Sequence, residues 1–357
     1  MIADLMKPAE RLKAYSEGRS IDRLPCVPIV GNTAARVIGV KVSELRNNGK
    51  LLAKAQVAAY RRFCYDGIRI FTDLYIQAEA MGAKVRCPLD ETAYLESPAV
   101  SNVAQIDTLR PADPLKAGLL QEHLEAMARA LEAVGEEVPV TGALTAPFTN
   151  ASFLIGTENL VRLTLKKPQT VHRLCEVSLE TSLRCAEAML KTGCTPSLTD
   201  PMSSSTLISP RLFREFSFPY LKRLIDFIHG HGKPVTLHIC GKTHPVWELM
   251  ADAGADCLSI DNEAVLRDAK TKVGNRVRLM GNVPPAAVMF QGSGDEVRSA
   301  VRRCVSEAHD NPRGYILASG CSLPTETPFS NIDAMMNAVR EIGYPVNESG
   351  LANENSI

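Results

Sequence analysis

The chain has 357 residues, 45% of them hydrophobic, and 40 basic against 40 acidic side chains give a formal net charge of zero. Such a chain can bury a large core but has no charge surplus to hold a polyanion, so nucleic acid is not an expected partner. No run of about 18 apolar residues exists to cross a bilayer, and the early Lys7, Glu10, Arg11 and Lys13 interrupt any apolar leader, so a cytoplasmic protein with no membrane partner is expected.

In chain order, short apolar runs alternate with amphipathic stretches, the pattern of a parallel sheet covered by helices. Eight strands are predicted: Cys26–Val30, Ile68–Asp73, Val138–Leu144, Ser197–Asp200, Val235–Cys240, Cys257–Asp261, Val277–Gly281 and Tyr315–Ser319. Between them Leu120, Leu124, Met127, Leu131 and Val134 advance at helical spacing, as do Val297, Val301, Cys304 and Ala308. The strand spacing is too long for hairpins but suits crossovers through a helix, and eight such units close a barrel. The expected fold is α/β: one (β/α)₈ TIM barrel over 1–346, Pro88–Ala112 being a loop insertion and 347–357 a polar tail. Gly292-Ser293-Gly294-Asp295 lacks a preceding strand and a third glycine, so it reads as a turn before a helix rather than a nucleotide loop.

Active sites of such barrels lie where strands end. Asp73, Asp200, His238 with Cys240, Asp261 with Glu263, Asn282 and Cys321 all stand at predicted strand ends. Alternation along the fifth strand points His238 and Cys240 to the same side. A His-x-Cys pair alone is more often core than ligand, but its position at a strand end, with Cys321 arriving on another after Gly320, favours a metal. One imidazole and two thiolates select zinc, and three protein ligands leave a position open for a substrate. Glu263, then Asp261, is the candidate to fill that position at rest, although on a loop rich in Asp and Glu either is more often a helix cap. His244 reads as exposed or outside the ligand set, His231 as surface and Trp247 as helix packing. Ten cysteines are too few for a disulfide scaffold in so long a chain. Cys175, Cys185 and Cys304 in helical patterns, and Cys26, Cys64, Cys87, Cys194 and Cys257 beside apolar residues, read as small buried hydrophobes.

The chain also resembles the uroporphyrinogen decarboxylase superfamily nearly end to end. The resemblance is carried by Arg11-Leu12, Ile21-Asp22-Arg23-Leu24-Pro25, Asp73, Glu79-Ala80-Met81-Gly82, Ala146-Pro147-Phe148-Thr149, Ala151-Ser152-Phe153, Ser209-Pro210 and Pro219-Tyr220-Leu221-Lys222. Within it, His238-Ile239-Cys240-Gly241, Asp200-Pro201 and Gly320-Cys321-Ser322-Leu323-Pro324 are similar to the zinc-dependent corrinoid methyltransferases. The resemblance implies the same barrel and transfer of a methyl group from a methylated corrinoid (cobalamin) protein to a thiol such as coenzyme M. It implies Zn²⁺ on His238, Cys240 and Cys321, and the corrinoid protein lowering its cofactor into the C-terminal mouth. Asp73 and Asp200 are then candidate catalytic residues and Asn282 a candidate cofactor contact. A folate or homocysteine acceptor, decarboxylase-type activity and a non-catalytic zinc barrel are the alternatives, and a homodimer is one assembly left open. The decarboxylase's own features are weakened: Val30-Gly31-Asn32-Thr33-Ala34-Ala35-Arg36 supplies one arginine where a close pair is wanted, and Phe153 stands where a tyrosine would donate a hydrogen bond.

Overall fold

The computed structural model describes residues 3–346, so the predicted tail from 347 lies outside the described residues. Ten strands occur: β1 (Cys26–Val27), β2 (Ile68–Ile70), β3 (Lys84–Arg86), β4 (Tyr94–Ser97), β5 (Val140–Thr145), β6 (Thr195–Thr199), β7 (Thr236–Ile239), β8 (Cys257–Ile260), β9 (Arg278–Val283) and β10 (Tyr315–Ser319). All but β3 and β4 form one parallel sheet in the order β1-β10-β9-β8-β7-β6-β5-β2. Its two outer members meet where the Asp66 amide donates to the Cys26 carbonyl at 2.8 Å, closing the barrel as predicted.

The strands end earlier than the apolar runs for identifiable reasons. Pro28 has no N–H to offer a ladder, so β1 stops at Val27 rather than Val30. β2 stops at Ile70, and Asp73, expected at its end, lies three residues further on, where its Oδ1 accepts the Tyr75 amide at 2.8 Å. The Pro88–Ala112 insertion is more ordered than a loop: β3 and β4 pair as an antiparallel hairpin around its start, followed by a 3₁₀ turn, Val103–Thr108.

Side-chain alternation separates two layers of packing. On β5, Gly142 faces the helices Gly118–Val134 and Pro168–Lys191 so closely that a Cβ would meet the Met127 Cε at 2.3 Å and the Met189 Cε at 2.5 Å. Thr141 points the other way, into the lumen, where every sheet strand, from β1 with Val27 to β10 with Ile316, contributes to the lining of a cavity of about 140 Å³. The second predicted helix runs Gly294–Ala308 and begins at Ser293, whose hydroxyl accepts the Glu296 amide at 3.3 Å while Glu296 accepts the Ser293 amide at 2.7 Å. The Gly292-Ser293-Gly294-Asp295 stretch is thus a helix cap, as the turn reading expects. Cys26, Cys175, Cys185, Cys194, Cys257 and Cys304 are buried as expected. Cys64 is a correction: it is exposed, because it ends the helix Gly49–Phe63 in a left-handed conformation (φ 57°) that turns it out of the core. Cys87 is half-buried.

Candidate metal centre

Three predicted ligands converge at the barrel mouth. His238, on β7, is buried at 3% exposure, and Cys240 follows one residue after that strand ends. Cys321 arrives two residues after β10. The His238 Nε2 to Cys240 Sγ distance is 3.1 Å and the two sulfurs are 3.8 Å apart. All three ligand atoms lie within 4.8 Å of one another. Two sulfurs at roughly 2.3 Å from a tetrahedral zinc would be ~3.8 Å apart, so the observed sulfur pair fits that ion as it stands.

The supports of these ligands are local. The His238 Nδ1 lies 3.1 Å from both the carbonyl and the hydroxyl of Ser259, its register partner on β8. Donation from Nδ1 to that carbonyl leaves the Nε2 lone pair facing the sulfurs, the tautomer a metal needs. Gly320 is required by crowding: a Cβ there would meet the Asn262 amide nitrogen at 2.6 Å, so only glycine lets the Cys321 turn pass the loop after β8. Gly241 (φ +70°) similarly turns the chain sharply after Cys240, against Ser204 and Thr206.

The sulfurs differ in acidity. The hydrogen bond between the sulfurs holds one thiol of the pair below its usual value, with His238 helping and burial opposing. The other thiol of the pair is pushed up by the same bond and by burial.

The other predicted site residues are not gathered here. Glu263 is exposed, and Asp261 Oδ1 accepts the Glu263 amide at 2.9 Å, a local cap of the loop after β8. Asn282 is buried and donates to the carbonyls of Asp261 (3.0 Å) and Ala264 (2.7 Å), bracing the same loop from β9. Asp73 is paired with Arg46 at 2.7 Å, and Arg46 also binds Glu79 at 2.5 Å. Asp200 has no exposed surface: Thr149, Ser203 and Ser217 hydroxyls and the Thr149 amide all donate to it, tying three segments together. Burial raises its pKa against those bonds. His244 and His231 are exposed, and Trp247 is buried with its indole N–H on Thr243 at 2.8 Å.

One residue at this site escaped the sequence reading. Arg69, in the middle of β2, extends into the lumen and donates to Thr199 Oγ1 on β6, the register neighbour of His238. Its signal was a lone arginine inside the run Ile68-Arg69-Ile70-Phe71, on the alternate side from the isoleucines.

Comparison with known proteins agrees with this geometry. The uroporphyrinogen decarboxylase (URO-D) family profile matches residues 7–342. The chain belongs to the uroporphyrinogen decarboxylase family. Among its relatives, the methylcobamide:CoM methyltransferase MtaA of Methanosarcina barkeri is 28% identical over 335 residues, covering 92% of this chain and 96% of the relative. A uroporphyrinogen decarboxylase of Vibrio vulnificus is 25% identical over 313 residues, covering 85% and 86%. A solved methyltransferase from Methanosarcina mazei superposes with a TM-score of 0.86 at 26% identity, covering 94% of this chain and 99% of that one. The family thus includes both branches anticipated from the sequence.

Proposed function

We propose that this member of the family is a corrinoid-dependent methyltransferase that transfers a methyl group from a methylated corrinoid protein to a small thiol. The observation that carries the reading is the His238, Cys240 and Cys321 cluster at the mouth, with ligand atoms within 4.8 Å. These three residues would hold Zn²⁺, leaving one position open to the acceptor. Bound there, zinc would supply the acidity that keeps an acceptor thiol ionised at neutral pH, where a free thiol of pKa near ~8.5 is only a few per cent thiolate. Ser259 sets the imidazole tautomer, and the Gly320 and Gly241 turns place the two sulfurs. The acceptor sulfur forms its bond to the methyl carbon as the carbon–cobalt bond breaks, cobalt keeps the electron pair and falls from Co(III) to Co(I), and the thiol proton passes to solvent.

Glu263 is retained as the carboxylate that would swing to the open position when no acceptor is present, since its loop is anchored by Asn282 and Asp261. Asp73 and Asp200 act in this reading by holding the mouth together, Asp73 through Arg46 and Asp200 through Thr149, Ser203 and Ser217. Large apolar side chains exposed after several strands, Leu207, Val265 and Phe290 among them, offer the corrinoid protein a docking rim on the C-terminal face.

Decarboxylation is disfavoured by the state of its usual groups. Arg36, the single arginine after β1, is spent on the Thr327 carbonyl at 2.9 Å and on Glu326 at 3.4 Å. Phe153 is buried with its ring 4.5 Å from that of Tyr75. The test is demethylation of methylcobalamin by zinc-loaded protein with a panel of thiols and tetrahydrofolate. Thiol-dependent formation of Co(I), abolished by a chelator, is expected; coproporphyrinogen formation by metal-free protein, with no demethylation, would refute the assignment.

A further inference from the structure

A larger pocket opens at the other end of the barrel, away from the metal ligands. It encloses about 1310 Å³ beneath the starts of β7 to β10, where Val235, Asp256, Arg278 and Gly314 line it. The helix Pro8–Ser16 forms one wall: Ala9, Leu12, Lys13 and Ser16 recur at helical spacing and all line the pocket. The chain is neutral overall, but this pocket is not. Lys13, Arg276, Arg278 and Arg313 line it, against two carboxylates, Asp256 and Asp310. Both carboxylates are engaged: Asp256 accepts the Val235 amide at 2.7 Å and lies 2.8 Å from His229 Nε2, and Asp310 pairs with Lys270 at 2.6 Å. Arg276 is satisfied by Asp252 at 2.7 Å. Among the described residues Lys13, Arg278 and Arg313 form no ion pair. The Arg278 Nε lies 3.4 Å from the Arg313 carbonyl and the Arg313 Nε 3.1 Å from the Asn275 carbonyl, so the terminal nitrogens of both forks stay available.

We propose that this pocket is a second binding site, for a small phosphate-bearing ligand whose diphosphate group is held by Lys13, Arg278 and Arg313. Three cations from three elements, the first helix, β9 and the turn before β10, face one space. Guanidinium forks match phosphate oxygens two at a time, and the lysine adds a point charge. A single phosphate carries about −1.5 to −2 at neutral pH, so three cations suit a diphosphate better. The central arginine is held in place. The Arg278 guanidinium lies 5.9 Å from the Tyr15 ring, and the Tyr15 hydroxyl accepts the Tyr315 amide at 2.8 Å. Gly314 (φ +89°) makes room for both: a Cβ there would meet Tyr15 Cε1 at 3.1 Å and Arg278 Nε at 3.4 Å. At the rim, exposed Tyr344 meets Tyr15 edge-on, with ring centroids 6.1 Å apart, and offers a face on which a base attached to the diphosphate can stack. The site is independent of the metal reading, because Cys240 and Cys321 stand beyond the opposite ends of β7 and β10.

Calorimetric titration of the full chain tests this with three probes: inorganic pyrophosphate, ADP and the tricarboxylate tricarballylate. Each is run on zinc-loaded and on chelator-treated protein, which separates this pocket from the metal. Pyrophosphate should bind equally in both states, more weakly as salt rises, and about tenfold or more tighter than tricarballylate. The double variant Arg278→Gln/Arg313→Gln should weaken it about tenfold or more. That variant should fold, since Arg313 is exposed, Arg278 is half-buried and each gives up one bond to a carbonyl. ADP binding more tightly than pyrophosphate, with the surplus lost in Tyr344→Ala, assigns the diphosphate to a nucleotide; ADP binding no tighter assigns the site to the diphosphate group alone. No pyrophosphate binding by the wild-type chain at low salt would overturn the proposal without any variant. So would binding confined to zinc-loaded protein, binding unchanged in the double variant, or tricarballylate binding as tightly as pyrophosphate.

Discussion

Two regions of this barrel use arginine in opposite ways. Below the strands, Arg11 and Arg23 share Asp66, and Arg11 also binds Asp22 at 2.6 Å while Arg23 binds Asp4 at 2.7 Å; Arg340 joins Asp4 at 3.0 Å. Asp66 further accepts the Cys26 amide at 2.7 Å, so the network ties the start of β1 to the start of β2 where the barrel closes. Above them, half-buried Arg69 has a single threonine hydroxyl and an unpartnered Nε. The lower arginines Arg11 and Arg23 are compensated by carboxylates and tie the fold together, whereas Arg69 is not so paired. This matches the division of labour in such barrels, with stability at the N-terminal face and chemistry at the C-terminal face. It also explains why Arg11-Leu12 and Ile21-Asp22-Arg23 help mark the family without touching the site.

The contrast can be broken at either end. Asp66→Asn leaves two desolvated guanidiniums short of a carboxylate and should cost about 3–5 kcal/mol in denaturant unfolding, with zinc stoichiometry of the remaining folded protein unchanged. A loss below ~1 kcal/mol would show that the lower network is not what closes the barrel. Cys321→Ser should do the reverse. Zinc affinity should fall by more than the roughly 100-fold typical of outer-sphere changes, measured by chelator competition, while the metal-free melting temperature stays near that of the wild type.

A smaller effect is expected from acid. Burial alone would raise Asp4 and Asp22, but hydrogen bonds from Arg23 and Arg340 to Asp4, and from Arg11 to Asp22, outweigh it and hold both carboxyls below the usual range. Their stabilisation is therefore complete above the ordinary carboxylate pKa near ~3.9 and is lost as pH falls toward the depressed values. The melting temperature should begin to fall only below about pH 4 and should do so less steeply in Arg340→Gln, which removes one of the partners of Asp4. An equally steep fall would exclude Asp4 as a contributor.

The barrel was legible because apolar runs and helical stripes are properties of neighbouring residues, and the metal trio because β7 alternation orients His238 and Cys240 without tertiary information. What was not legible depends on partners distant in sequence. Asp73 stands after a strand as expected, but its ion pair with Arg46, from a separate helix, was out of reach of the sequence. Asp200 looked similar, yet Thr149, Ser203 and Ser217 enclose it from three segments. The bonds from Asn282 to the carbonyls of Asp261 and Ala264 likewise depend on a loop distant in sequence. Arg69 was hidden for the opposite reason: within an apolar run one arginine reads as a surface residue, and only closure of the sheet puts it inside.

The central claim is that the mouth holds zinc with one position for a thiol. X-ray absorption at the zinc edge, recorded on the loaded protein before and after adding 2-mercaptoethanesulfonate, tests it most directly. The account predicts a first shell of two sulfurs, one imidazole nitrogen and one oxygen that becomes three sulfurs and one nitrogen. A shell that stays at two sulfurs at saturating thiol would contradict it and mark the metal as structural.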